Sequence, residues 1–137
     1  STENRLTYWP VCVPAKYKHI YLSREQNKDA PVLSSDMMKF FDEMYKADSK
    51  SPLVSPTCFK SHKGLPPTYF QICGLDPLRD EAIIYNDILK EEGVKTKVDF
   101  YPGLPHSFWS WWLDADFTKK YQEESLEAVK WLLEQSQ

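Results

Sequence analysis

Apolar and polar residues follow one another along this chain in blocks that predict an open α/β sheet. The run from Thr68 to Gly74 is apolar and rich in β-prone residues, and it has the length of a buried strand. A second strand, Val94 to Tyr101, alternates apolar with charged side chains and is expected to be partly exposed. A third is expected within Arg5 to Val13, with Pro10 at its exit or edge.

The spacing of apolar residues also predicts three helices, Asp36–Ala47, Arg79–Glu92 and Asp116–Gln135. Ser34 or Ser35 is a suitable N-cap for the first helix, and Gly93 is a suitable stop for the second. Residues 14–33 are polar and irregular, and a loop of that length usually has a function or packs against another segment or molecule. Residues 51–56 are expected to be extended.

Strands that alternate with helices predict a parallel sheet with right-handed crossovers. Asp76 directly follows the strand that ends at Gly74, and His106 follows the next strand after a Pro-Gly-Leu-Pro segment. Loops at the carboxyl ends of neighbouring parallel strands are where open α/β sheets carry their chemistry. Asp76 and His106 are therefore expected to lie close together.

Composition narrows the class of protein. The chain has 137 residues, which suits one domain, and its 27% charged and 42% hydrophobic residues are typical of a soluble globular protein. The net charge of −3, with no stripe dense in Lys or Arg, gives no electrostatic basis for binding nucleic acid or an anionic membrane. No apolar run is long enough to span a bilayer. The sequence has no cluster of metal-ligating residues and no glycine-rich loop that would bind a phosphate, so it implies neither a metal nor an organic cofactor.

The cysteines are three in number, Cys12, Cys58 and Cys73, and none has C-x-x-C spacing. An odd number without that spacing argues against a disulfide scaffold and against a zinc site. A reducing compartment, and hence a cytoplasmic location, is the weakly favoured expectation. Cys73 lies in the predicted buried strand and is interpreted as a small core hydrophobe.

Three motifs carry a resemblance to a known family: Leu65-Pro66-Pro67-Thr68, Asp76-Pro77-Leu78-Arg79-Asp80-Glu81 and Tyr101-Pro102-Gly103-Leu104-Pro105-His106. They resemble the C-terminal part of the α/β-hydrolase fold and, more narrowly, the hormone-sensitive-lipase-like family of carboxylesterases. The similarity covers most of the chain, from about Trp9 to Leu133. In that family the first Asp of the second motif is the triad acid and the His of the third is its base. The resemblance therefore implies these roles for Asp76 and His106.

The resemblance also implies a fold class: an α/β arrangement of about three parallel strands with flanking helices, the C-terminal portion of a hydrolase domain. Residues 1–137 would form one segment of that domain, with residues 34–48 contributing a helix on the cap side. The family's nucleophile lies in Gly-x-Ser-x-Gly, on a strained turn between a strand and a helix. The chain's four glycines are Gly64, Gly74, Gly93 and Gly103, and none brackets a serine in that way.

The nucleophile and the oxyanion loop are therefore expected in an N-terminal part of the protein that precedes Ser1. This segment alone is expected to be inactive. Its expected partners are a small-molecule ester and either that N-terminal portion or a second copy of the chain. An unpaired edge of a parallel sheet would favour such association.

An aromatic group follows the predicted base directly: Phe108, Trp109, Trp111 and Trp112. It fits either core packing or one wall of an apolar acyl or alcohol pocket, and Phe108 and Trp109 are the predicted substrate-binding residues.

Other polar residues near the motifs are interpreted as structural. His19 and His62 lie in polar loops and are expected to be solvated. Residues 79–81 are expected to form caps and ion pairs at the helix start. Ser107 stands where the family usually has Gly, and it is poorly placed to reach the imidazole of its own neighbour.

Three functions remain open at this point. The chain is a segment of a serine carboxylesterase, a hydrolase-fold remnant without a nucleophile that acts as a binding or regulatory module, or an acid/base enzyme of another class. The first is favoured because both motifs are intact. A remnant released from catalysis would have no reason to keep both Asp76 and His106 in place.

Overall fold

The computed structural model describes residues 12–135. In chain order its helices and strands are α1 (Ser23–Gln26), α2 (Ser35–Tyr45), β1 (Thr68–Leu75), α3 (Arg79–Glu91), β2 (Thr96–Pro105) and α4 (Asp116–Gln135). Short 3-10 helices cover Ala15–Ile20, Pro56–Cys58 and Phe108–Ser110. The strand predicted within Arg5 to Val13 lies almost wholly outside the described residues, and the two of its residues that are described are not in a strand.

The described residues contain one sheet, in which β1 and β2 pair in parallel from Thr68 opposite Thr96 to Cys73 opposite Tyr101. Helix α3 forms the crossover between them. The prediction of parallel strands joined by a helix is therefore confirmed. β2 runs further than the sequence predicted, through the Pro-Gly-Leu-Pro segment to Pro105.

The core consists of two groups of side chains on the described part of the chain. One group joins α3 to the segment before α1: Val13, Tyr17, Tyr21, Ile84 and Ile88. The other joins the two strands to α4 and to residues 107–112, called the aromatic loop below. Its members are Cys73, Tyr101 and Phe108, with Leu104, Trp109, Phe117 and Tyr121 packed against them. Burial of the apolar stripe of α3, with Leu89 fully buried, is the interaction expected to fix that helix on the sheet.

The segment predicted as an irregular loop over residues 14–33 is instead partly helical. A long-range contact accounts for the difference: the Asp80 carboxylate accepts hydrogen bonds from the backbone N–H groups of Leu22 and Ser23, both at 2.7 Å. These bonds satisfy donors at the start of α1 from a residue that lies 57 to 58 positions further along the chain. Residues 51–56 were predicted to be extended and are not, because the N–H groups of Val54 and Ser55 turn back to the carbonyl of Ser51.

The prediction that His62 is solvated is wrong. Its side chain is 2% exposed, Nδ1 lies 3.1 Å from Glu92 Oε1, and Nε2 lies 2.7 Å from the carbonyl oxygen of Pro56. The backbone N–H of His62 also donates to Glu92, as does the hydroxyl of Ser61. These donors lower the pKa of Glu92 to about 2.

The number and spacing of the cysteines argued against a disulfide scaffold, yet two of them are joined. Cys12 and Cys58 form a disulfide that closes 46 residues of chain. Sequence spacing could not reveal a pair so far apart. The bond removes the ground on which the sequence favoured a reducing compartment, because disulfides persist mainly in oxidising ones. Cys73 is free and buried, as predicted.

Helix α2 begins as the sequence predicted, with the Ser34 hydroxyl accepting from the backbone N–H of Met37. Only Met38 of this helix is buried, and its other apolar side chains are exposed: Met37, Phe40, Phe41, Met44 and Tyr45. Among residues 12–135, no helix combines the length and the hydropathy needed to cross a bilayer.

Candidate active site

Asp76 and His106 meet at the carboxyl ends of the two strands. His106 Nδ1 lies 2.8 Å from Asp76 Oδ2. A carboxylate can only accept, so the imidazole donates from Nδ1 and its Nε2 is left as the acceptor in the neutral ring. The sequence placed these two side chains at neighbouring strand ends, and the structure brings them into direct contact.

A change of register between the two strands places Asp76 and His106 next to each other. Cys73 pairs with Tyr101, but Leu75 pairs with Pro105, so residues 102–104 of β2 lie opposite Gly74 alone. The extra length of β2 advances His106 until it stands beside Asp76. Gly103, at φ +70°, supplies the left-handed backbone conformation that such a bulge uses.

The Asp76 carboxylate is held on both oxygens. Oδ2 faces His106, and Oδ1 accepts from the backbone N–H of Leu78 at 2.8 Å, in the turn that leads into α3. Asp76 is 6% exposed, so this charge lies out of water and depends on those donors. A carboxylate fixed in this way can hold a neighbouring imidazole in one orientation.

His106 is more accessible than its partner, with 38% of its side chain exposed. Within residues 12–135 its Nε2 has no hydrogen-bond partner, so that nitrogen is available to another group. The hydrogen bond to Asp76 raises the pKa of His106 above the ordinary value of 6.5; partial burial opposes this effect, and the negative charge of Asp76 adds to it. The pair is a carboxylate-oriented base with one free basic nitrogen.

The thiol of Cys73, near the Asp76 carboxylate, does not have the properties of a nucleophile. Cys73 is 4% exposed, and burial followed by the charge of Asp76 raises the pKa of its thiol to about 11. A thiol in that state is inert near neutral pH. Ser107 lies in the left-handed region at φ 53° and ψ 32°, which accounts for the glycine that the family usually has there.

The acidic and basic residues after Asp76 form ion pairs, as predicted. Arg79 pairs with Asp80, and Glu81 pairs with Arg24 at 2.7 Å. The first pair lies within α3, and the second joins the start of α3 to α1.

Phe108 and Trp109 lie in the aromatic core of the described structure. Phe108 is fully buried, and Trp109 stacks on Tyr121 with their ring centroids 4.3 Å apart. These contacts are those of core packing, and a role for either residue in substrate binding stays a prediction.

An open apolar cavity of about 580 Å³ lies beside the same aromatic loop, lined by Val32, Met37, Trp111 and Trp112. The sequence identified Trp111 and Trp112 as members of the aromatic group but did not link them to α2. Met37 was visible only as part of a helical apolar stripe. Val32, between α1 and α2, carried no signal in the sequence.

Comparison with known proteins matches residues 4–110 to a family described as the alpha/beta hydrolase fold. The chain belongs to the α/β-hydrolase family. The structure of vibralactone cyclase superimposes with a TM-score of 0.86 at 40% identity, over 93% of this chain and 39% of that protein. The resemblance to the C-terminal part of hormone-sensitive-lipase-like hydrolases is thereby confirmed.

Two curated relatives agree. An AB hydrolase superfamily protein of Schizosaccharomyces pombe is 42% identical over 114 residues, which are 82% of this chain and 34% of that protein. The versiconal hemiacetal acetate esterase of Dothistroma septosporum is 40% identical over 131 residues, which are 94% of this chain and 39% of that protein. The chain thus spans well under half of the length of the α/β-hydrolases it matches.

Proposed function

We propose that Asp76 and His106 are the acid and the base of a serine carboxylic-ester hydrolase of the α/β-hydrolase family. The observation that supports this is the 2.8 Å hydrogen bond between Asp76 Oδ2 and His106 Nδ1, with no residue of the described range 12–135 bonded to Nε2. The nucleophilic serine and the oxyanion donors would come from an N-terminal portion of the same protein. The segment of residues 1–137 alone would then be inactive.

In this mechanism His106 Nε2 removes the proton from the serine hydroxyl as the oxygen attacks the ester carbonyl. The imidazolium that forms donates the same proton to the leaving alcohol, and an acyl-enzyme remains. Water then attacks the acyl group with His106 acting again as base; the bond to the serine oxygen breaks, the imidazolium returns its proton to that oxygen, and the carboxylic acid leaves. Asp76 stays ionised throughout, fixes the tautomer of the ring and stabilises its positive charge.

The apolar cavity lined by Val32, Met37, Trp111 and Trp112 suits the apolar part of an ester. Phe108 supports the part of this cavity formed by the two tryptophans, because its carbonyl accepts hydrogen bonds from the backbone N–H groups of Trp111 and Trp112 at 3.0 and 3.1 Å. Phe108 and Trp109 would then shape the substrate pocket from behind. The proposed substrates are small or medium carboxylic esters with apolar acyl or alcohol groups. The esterase named among the relatives supports this class.

The test uses the purified protein that carries this sequence, a p-nitrophenyl ester series and a fluorophosphonate label. Asp76→Asn should lower kcat by about 10⁴-fold with little change in KM, because the base loses its orientation. His106→Asn should abolish turnover above the level left by the rest of the site. Asp114→Asn, which changes an exposed carboxylate, is the matched control and should leave kcat unchanged.

Peptide mapping of the label identifies the nucleophile. A labelled serine within Gly-x-Ser-x-Gly, on the same or a co-purifying polypeptide, supports the proposal. Absence of both labelling and ester turnover in the folded protein would overturn it. The chain would then be better described as a nucleophile-less module that binds a partner or a small molecule.

A further inference from the structure

The backbone that carries Asp76 is held by a side chain from another part of the sequence. Asn27, at the C-terminal end of α1, donates from Nδ2 to the carbonyl oxygen of Asp76 at 2.9 Å and to that of Gly74 at 3.3 Å. Asn27 is 6% exposed. A primary amide has two N–H donors, and the two carbonyls of this turn provide one acceptor for each.

These carbonyls need such a donor because the sheet is interrupted at this point. The change of register between Cys73 and Leu75 takes Gly74 out of the regular ladder with β2. A buried carbonyl without a partner is costly, so the turn requires a donor from outside the sheet. Asn27 provides one for Gly74, and Arg79 Nη1 provides a second at 3.3 Å.

A neighbouring contact fixes the same turn from the same element. The hydroxyl of Ser23 donates to the carbonyl of Pro77 at 2.7 Å and accepts from the backbone N–H of Asp80 at 3.1 Å. Residues 23 and 27 lie one helical turn apart, so both side chains point from one face of α1 towards the turn after β1. The carbonyls of Gly74, Asp76 and Pro77 are thus all held by α1.

We propose that Asn27 is a positioning residue for the catalytic pair: by holding the carbonyls of Gly74 and of Asp76 itself, it sets the direction of the Asp76 carboxylate towards His106. The inference rests on the proposed function for its catalytic consequence but not for its structural one. Asp76 has no regular strand pairing beyond Leu75 to fix its backbone. Without Asn27, its own carbonyl would be held within the described chain only by the backbone N–H of Arg79, at 3.1 Å.

The experiment compares Asn27→Leu with Asn86→Leu in the whole purified protein. Both asparagines are 6% exposed, and Asn86 lies within α3 away from the pair, so the two changes remove a buried amide of the same size. NMR follows the titration of the His106 C2 proton, assigned through His106→Asn. The Asp76 carboxylate is the charged group that contacts this imidazole within residues 12–135.

Asn27→Leu should shift the His106 titration downwards, since the hydrogen bond that raises its pKa weakens, while Asn86→Leu leaves it in place. In the active enzyme Asn27→Leu should also lower kcat by up to about 100-fold with KM little changed. An unshifted His106 titration in folded Asn27→Leu would overturn the inference. If that variant does not fold, Asn27→Ser, which keeps one donor, takes its place and should give a smaller downward shift; no shift would again overturn it.

The titration does not require ester turnover, so the two proposals can fail separately. A shifted titration in a protein that hydrolyses no ester would support the positioning role and count against the esterase. An unshifted titration in an active esterase would support the hydrolase and overturn the positioning role of Asn27.

Discussion

Gly74 lies directly against Gly103 where β1 and β2 change register. A β carbon at Gly74 would stand 2.9 Å from the backbone nitrogen of Gly103 and 3.0 Å from the Cα of Pro102. Both are backbone atoms, which cannot move aside as the end of a side chain can. The register shift that brings Asp76 to His106 therefore depends on the absence of a side chain at Gly74.

We expect Gly74→Ala to lower the free energy of unfolding by about 1–3 kcal/mol, because the added methyl pushes the strands apart at the bulge. The same displacement should shift the His106 titration downwards. Urea denaturation and NMR measure the two effects. Gly64→Ala is the control: its β carbon meets nothing within 4 Å, although its φ of +79° makes alanine strained. It should cost about 1 kcal/mol and leave His106 unaffected. Equal effects of both variants on His106 would contradict the prediction.

The Asp76–His106 pair should make stability depend on pH. The pKa of His106 is raised in the folded protein, so the pair stabilises the fold fully below the unfolded pKa of about 6.5. This contribution is lost as the pH rises through the higher folded pKa. Asp76→Asn should remove the loss, and the difference between the two proteins in unfolding free energy should shrink as the pH rises from about 6.5 through the higher folded pKa of His106. A difference that stays constant over that range would show that the pair is not linked to folding.

Ser107 is expected to be a site where glycine stabilises the protein. It has φ 53°, its side chain makes no capping hydrogen bond, and a left-handed conformation costs a non-glycine residue roughly 1–2 kcal/mol. Ser107→Gly removes that cost in the folded protein, but the added conformational freedom of glycine also stabilises the unfolded chain by about 0.4–1 kcal/mol. The free energy of unfolding measured in urea is therefore expected to rise by about 0.5 kcal/mol. Ser110→Gly, in the 3-10 helix that follows, offers no such relief and should lower stability. Destabilisation by both changes would refute the argument.

Residue pattern was sufficient to predict the parallel strands, the three longer helices and the proximity of Asp76 to His106. Each of these depends on local periodicity or on the general rule that parallel strands carry their loops at one edge. Helix α4 even begins and ends at the predicted residues, Asp116 and Gln135, because its boundaries follow from its own apolar repeat.

Two of the features that pattern missed depend on distant partners. The burial of His62 follows from Glu92, which lies 30 residues further on and supplies the acceptor that a buried imidazole needs. The amide of Asn27 gains its role only from carbonyls that a bulge has removed from the sheet. Neither partner can be identified from composition or spacing, because each contact forms only when the fold brings distant segments of the chain together.

The disulfide between Cys12 and Cys58 predicts a simple chemical count. Among the cysteines of residues 1–137, only Cys73 should be alkylated under denaturing conditions without reductant, and reduction should make all three reactive, as peptide mapping would show. Because the bond joins residues 46 positions apart, its loss should lower the free energy of unfolding by about 4 kcal/mol through the added freedom of the unfolded chain. Cys58→Ser should reproduce that loss, whereas Cys73→Ser should leave the effect of reductant on stability intact. Alkylation of Cys12 and Cys58 in the unreduced, freshly purified protein would show that the two cysteines are not joined.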